Sequence, residues 1–328
     1  MRSLSRLFAV NPGFEASNVL TMEVQISGHK FDDPNTSRRF FAQALEEVRH
    51  IPGVQSAGFT SLLPLTDDTQ FGSYGAQFEK NNGRSVGGGK GVFRYVVTPG
   101  YFETMRIPLR RGRFLEKGDV AGAPHVVVIS ETLAKKEFGN ENPIGQRMHV
   151  GGFPTWPWYR IVGVAGDVKQ ESLALSDPDA VYITPEQSWF ADQSMSLVVR
   201  ARAAGALTPE IKKSIWFVDN DQPIVRIAMM ERLLAVTQAV RRFVLILFEA
   251  FGIVALALAA IGIYGVLSGN VTERTHEIGI RAALGASRGN ILALVERQGM
   301  TLTVFGMAIG LAGAAAASQT IATLLFGI

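Results

Sequence analysis

Residues 273–295 read ERTHEIGIRAALGASRGNILALV. This segment carries Arg274, Arg281 and Arg288 beside Glu273 and Glu277, and it lies between two long apolar stretches. Glu277 precedes Arg281 by four residues, the favourable order for an ion pair on one helix face. Ile278 and Ala282 fall on one side of that helix, and Arg274 and Arg281 on another. Gly285 fits a helix stop. Ser287 is placed to cap a second helix that runs into Ile291, Leu292, Leu294 and Val295. The pattern predicts a helix–turn–helix at a membrane surface. Spacing alone leaves two roles open: an interfacial anchor, or a handle gripped by another protein.

The flanks set that context. Residues 243–269 contain a single charge, Glu249, and 250–268 are free of charge. At 1.5 Å per residue this length crosses the hydrocarbon core. Residues 299–328 carry no charge. Two spans are therefore expected, 243–269 and 300–326, because soluble cores rarely hold two such lengths so close together. Gly252, Ala255, Ala259 and Gly262 recur at helical spacing, as do Gly306, Gly310, Gly313 and Ala317. Small residues let helix backbones approach closely, here to each other or to a partner subunit. Glu249 would cost about 2.5–3.5 kcal/mol at the bilayer centre. It lies two turns in, beside Arg241 and Arg242, and reads as a headgroup-level residue or as a polar group facing a bundle interior.

Ahead of these spans, residues 1–242 read as a soluble chain with charges every few positions. Over the 328 residues, 47 % are hydrophobic and 19 % charged, and the net charge is +3. No dense basic block with interleaved aromatics is present, which argues against nucleic acid as a partner. The chain has no cysteine, so disulfides, thiol catalysis and Cys-ligated metals are excluded. His29, His50, His125, His149 and His276 form no H-x-x-x-H or H-x-H pair for a metal. No G-x-S-x-G elbow occurs. The run GRSVGGGKGV (83–92) invites a phosphate-loop reading. It fails because Arg84 stands where the first glycine belongs and Gly91 where a Ser or Thr must follow Lys90. It reads as a flexible surface loop, and TWPWYR (155–160) as a packed loop or rim. These readings give no catalytic residue, no metal and no cofactor. The chain is not read as an enzyme, and any ATP must be handled by a partner.

The soluble part predicts an α+β fold in two subdomains. Strand 19–26 is followed by an amphipathic helix that opens at Asp33-Pro34 and buries Phe40, Phe41, Ala44, Leu45 and Val48. Pro52-Gly53 breaks it, and a strand follows over 54–61. Further strands are expected at 92–98, 125–129, 146–150, 159–165, 180–184 and 195–202. Ser130 caps a helix over 131–138 that Gly139 stops, and Thr208-Pro209 opens another. Residues 15–228 are expected to fold alone. A helix over 229–241 leads straight into the first span.

With its upstream AAIGIYGVLS, the opening segment closely resembles the permeases of the MacB/FtsX superfamily of ABC transporters. Their signature, E-R-x-x-E-I-G-I-R-x-A-x-G-A, is matched by Glu273, Arg274, Glu277, Ile278, Gly279, Ile280, Arg281, Ala283, Gly285 and Ala286. The stretches YVVTPGYFETMRIPLRRGRFL, VVVISETLAKKEFGNENPIGQRM and YRIVGVAGDVK look like the periplasmic core domain of MacB-type permeases. NPGFEASNVLTMEV and IPGVQSAGFTSLLPL look most like the duplicated orphan permeases. The resemblance implies a MacB-like periplasmic core domain over 1–242 and an FtsX-like permease domain over 243–328, in a multi-pass protein of the bacterial inner membrane. It implies that segment 270–299 faces the cytoplasm and docks on an ABC ATPase through Glu273, Arg274, Glu277, Ile278, Arg281 and Gly285. A second permease copy or homologous half and membrane lipid are the other implied partners. The implied activity is export or mechanical signalling driven by ATP hydrolysis in the partner. The rival reading is a membrane-tethered periplasmic scaffold uncoupled from any ATPase. The family also has helices before and after the part seen here, so the chain is expected to be an internal fragment or a gene with displaced ends.

Overall fold

Strand β1 (Val19–Gln25) starts a sheet whose neighbours come from distant parts of the chain. It pairs antiparallel with β10 (Ser194–Ala201) on one side and β11 (Ile224–Met229) on the other. Strand β2 (Val54–Thr60) completes the sheet beyond β10, giving the order β11-β1-β10-β2. Helix α1 (Pro34–Arg49) joins β1 to β2, and α4 (Thr208–Val218) joins β10 to β11. These are two interleaved split βαβ units, and their helices pack side by side. The computed structural model describes residues 11–66, 73–79, 85–151, 156–170, 179–189, 191–273, 275, 276, 280, 306 and 310.

Local chemistry explains the helix ends. The Asp33 side chain accepts a hydrogen bond from the Asn35 amide with Pro34 in the first turn, a strong N-terminal signal. Ser130 caps α3 (Glu131–Phe138) by accepting from the Leu133 amide, and Gly139 ends that helix at positive φ. The short helix α2 (Tyr101–Met105) ends at Arg106 in the left-handed region, where the Ile107 amide reaches back to the Phe102 carbonyl.

The chain between β2 and β10 builds a second sheet. It comprises β3 (Ser73–Glu79), β4 (Ser85–Val96), β5 (Leu109–Gly112), β6 (Val126–Ser130), β7 (Arg147–Val150), β8 (Trp158–Ala165) and β9 (Ala180–Ile183), in the order β5-β8-β6-β9-β4-β3-β7. Strand β7 also pairs with β8, so six of these strands close on themselves. Closure leaves no open edge along that ring. Within the glycine-rich run read as a flexible loop, residues 85–92 are instead part of β4, paired with β3 from Ser85 opposite Glu79 to Gly88 opposite Ala76, and residues 83–84 lie outside the described residues. Its physical basis is the partner strand, which composition alone does not show.

Two apolar clusters hold the two sheets. Leu20, Met22, Val24, Leu197 and Val199 join α1 and α4 in the first, with Val127 and Ile129 of β6. Val19 and Val198 point the other way, into a second cluster with Tyr101, Phe102 and Met105 of α2 and with Val126 and Val128. Strand β2 passes α2 closely: a Cβ on Gly58 would lie 2.7 Å from the Tyr101 Cα.

Helix α5 (Met230–Glu273) begins directly after β11. The coordinates divide into two compact units, Met1–Val240 and Arg241–Ile328. Met230 is fully buried in the second cluster, and Leu233 and Leu234 pack against it. The packed core of the first unit therefore reaches past residue 228, the end of the segment expected to fold alone. A chain ending at 240 should unfold cooperatively in urea. One ending at 228 should be less stable by about 2–5 kcal/mol, the cost of emptying a buried methionine site.

Candidate functional site

The sequence places its candidate site on α5 and the residues that follow. An apolar stretch within α5, Ile246–Val266, is 21 residues long, enough to cross a bilayer. Its side chains are exposed within the structure, as lipid-facing side chains would be. Among the described residues nothing lies within 4 Å of a Cβ built on Gly252 or Gly262, small positions suited to close helix contact. The helix continues through Thr272, whose hydroxyl donates to the Ser268 carbonyl, and is described without a break as far as Glu273. Thr275, His276 and Ile280 are helical and exposed. Arg274, Glu277, Ile278, Arg281 and Gly285 lie outside the described residues, as does the side chain of Glu273. So does the expected second span 300–326, apart from the helical positions Gly306 and Gly310.

In the first unit, polar chemistry gathers in a groove of about 470 Å³ lined by Glu15, Arg106, Arg110, Glu131, Asp167 and Lys169, among others. Its charges are matched. Arg106 reaches Glu15 at 2.6 Å and Arg110 reaches Glu131 at 2.9 Å. The Asp167 carboxylate accepts from the backbone and hydroxyl of Thr132 at the start of α3. Hydrogen bonds from Arg106 and Ser17 hold the Glu15 carboxyl below its usual range. Lys135, with Arg110, does the same for Glu131. Among the described residues no group of three His, Asp or Glu side chains is placed to hold a metal ion.

Sequence reasoning missed three arginines, the buried Arg94 and Arg200 and the half-buried Arg49. Arg94 donates to the Ser188 hydroxyl at 3.0 Å and lies over the Tyr74 and Trp189 rings. Trp156, from the stretch read as a packed loop, stacks on Trp189 at 4.1 Å. Arg49 donates to the carbonyls of Ala57 and Pro99. Arg200 donates to three carbonyls. The available signal was position: Arg200 stands two residues after Val198 in a strand whose alternation points both side chains to a covered face.

A family model described as MacB-like periplasmic core domain matches residues 3–215, and one described as FtsX-like permease C-terminal matches residues 249–328. The chain is 26 % identical over 230 residues to the Bacillus subtilis protein named uncharacterized ABC transporter permease YknZ, covering 68 % of this chain and 57 % of that one. It is 26 % identical over 241 residues to the macrolide export ATP-binding/permease protein MacB of Neisseria meningitidis, covering 68 % of this chain and 35 % of that one. The chain thus spans between a third and three fifths of these relatives' length. The periplasmic region of MacB from Actinobacillus actinomycetemcomitans superposes with a TM-score of 0.44 at 16 % identity, over 72 % of this chain and 98 % of that one.

Among the carboxylates of the first unit, Asp119 is closely held. Arg113 grips it with two 2.8 Å bonds, and the Glu116 amide adds a third. Burial pushes its carboxyl up, but these donors outweigh burial and hold it below its ordinary value. The folded state therefore releases this proton at lower pH than the unfolded chain. The stabilisation is complete above the unfolded value of about 3.9 and is lost as pH falls through the lower folded value. Urea titrations should show stability falling on acidification below about pH 4–5. Asp119→Asn should lower stability at neutral pH by about 1–3 kcal/mol and flatten that acid limb.

Proposed function

The chain belongs to the MacB-like family of ABC transporter permeases with an FtsX-like C-terminal domain, and from that premise we propose that it converts ATP hydrolysis by a separate cytoplasmic ATPase into movement of its own extracytoplasmic domain. In this reading residues 1–242 form the domain outside the membrane and 243–328 the permease domain. Spans 243–269 and 300–326 flank a cytoplasmic coupling segment at 270–299. Glu273, Arg274, Glu277, Ile278, Arg281 and Gly285 meet the ATPase. The permease works in a bacterial inner membrane, beside lipid and a second copy or homologous half. Its output is export or mechanical signalling.

One observation carries this reading. Helix α5 is rooted by Met230 in the core of the first unit, contains the 21-residue apolar stretch, and runs as far as Glu273, the first residue of the permease signature, with Thr275 and His276 helical beyond it. A single helix is therefore the covalent link between the folded domain and the segment proposed to be gripped. The name of the MacB relative joins an ATP-binding part to a permease part, and this chain aligns with only 35 % of that protein.

The absence of native cysteine makes topology directly measurable. Asn140→Cys should react with an impermeant thiol reagent from outside intact cells. Gly285→Cys should react only after the membrane is opened, and labelling of 285 from outside would reverse the proposed orientation.

The role of Arg281 separates grip from helix support. The Glu277–Arg281 pair is worth about 0.2–0.5 kcal/mol to its helix. An arginine seated in a partner's pocket is worth about 2 kcal/mol or more, near thirtyfold in affinity. Arg281→Ala should abolish co-purification of the ATPase while membrane insertion stays normal, and Glu277→Ala should weaken it less. Equal retention in both variants would leave an interfacial anchor and favour the uncoupled scaffold.

A further inference from the structure

We propose that Arg200 is a positioning residue that clamps the N-terminal strap, residues 11–18, over the core in which α5 is rooted, and so holds the root of α5, residues 230–236, in that core. This inference rests on the fold of the first unit and does not depend on any ATPase.

The geometry is specific. Arg200 is buried, at 4 % exposure, on the central strand β10. Nε donates to the Thr104 carbonyl, Nη1 to that of Ser17 and Nη2 to that of Glu15, each at 2.7 Å. All three nitrogens are thus used on main chain, from two segments far apart in sequence. A planar guanidinium makes such a fork and a lysine ammonium cannot reproduce it. The Glu15 carboxylate lies 3.7 Å from Nη1 and is itself held by Arg106. Backbone bonds continue the clamp: the Glu15 amide donates to Met105, the Lys169 amide to Pro12, and the Ala201 amide to Asn18.

The strap and the root of α5 share one core. Phe14 and Ala16, on either side of Glu15, are buried in the cluster that also holds Met105 and Met230. Register places them close together. Val19 pairs with Arg200 on one side of β1, while Leu20 pairs with Met229, the residue before Met230, on the other. Two strand spacings, roughly 10 Å, therefore separate the clamp from the start of α5. Loss of the clamp frees the strap, withdraws Phe14 and Ala16, and opens one wall of the socket around Met230, Leu233 and Leu234.

Hydrogen exchange on the full chain in detergent tests this. In Arg200→Lys, amides 13–18 and 231–236 should exchange at least tenfold faster, while those of α1 and β6 keep their wild-type rates. Arg106→Ala, which removes only the side-chain partner of Glu15, should leave 231–236 unchanged. Phe14→Ala leaves Arg200 intact and should reproduce the local pattern, which keeps the test open if Arg200→Lys does not fold. Equal acceleration throughout the unit would make Arg200 a general stability element and overturn the proposal. So would acceleration confined to the strap, or unchanged exchange at 231–236 in Phe14→Ala.

Discussion

In the sheet of β11, β1, β10 and β2 the inner strands β1 and β10 are covered on both faces along most of their length, and the rest of the first unit follows from that constraint. Side chains of β1 and β10 alternate between two separate apolar clusters, so both parities must be apolar or fully satisfied. Thr21 meets the requirement by donating to the Ala228 carbonyl, and Arg200 by its three carbonyl bonds. A one-residue slip would exchange the two clusters and place Arg200 among Leu197, Val199 and the helices. Register in this sheet is therefore fixed from both sides.

Three arginines, Arg94 and Arg200 buried and Arg49 half-buried, join separate segments. Arg49 ties α1 to the carbonyls at Ala57 and Pro99, and Arg200 ties the strap to α2, so each brings main chain from different segments to one charged fork. Arg94 lies over Tyr74 and Trp189 and donates to the Ser188 hydroxyl. A charge buried in this way is costly unless its hydrogen bonds are made. Such residues reward one arrangement of the segments and penalise the alternatives.

Much of the local structure was legible in the sequence because its signals are local. Asp33-Pro34, Ser130 and Gly139 mark helix ends that the structure shows, and the strand at 19–26 and the one at 54–61 form within a residue of expectation. Pairing was not legible. Nothing in Val54–Thr60 announces that its neighbour is Ser194–Ala201, because that choice depends on the intervening chain closing into its own ring. The glycines at 87–89 were misread for the same reason, since β3 supplies what their composition lacks. The signature at 273–286 was legible as a family mark because it is long and its residue types are unusual together. The grip proposed for it is not legible in the same way, because it would depend on a partner's surface as well.

The six-stranded ring hangs from the four-stranded sheet by two strands that are hydrogen-bonded neighbours and whose connections leave from the same end: β2 ends at Thr60, and Ser196, near the start of β10, pairs with it. A tensile load drawn through the ring would thus peel β2 from β10 one rung at a time, the geometry of a zipper rather than of a lap joint. The ladder alone offers little resistance to peeling. Resistance must come from the two apolar clusters packed between the sheets, helped by the bonds of Thr98 on the Phe59 amide and Arg49 on Pro99. These contacts, and not the ladder, set the stiffness of the joint between the two halves of the domain.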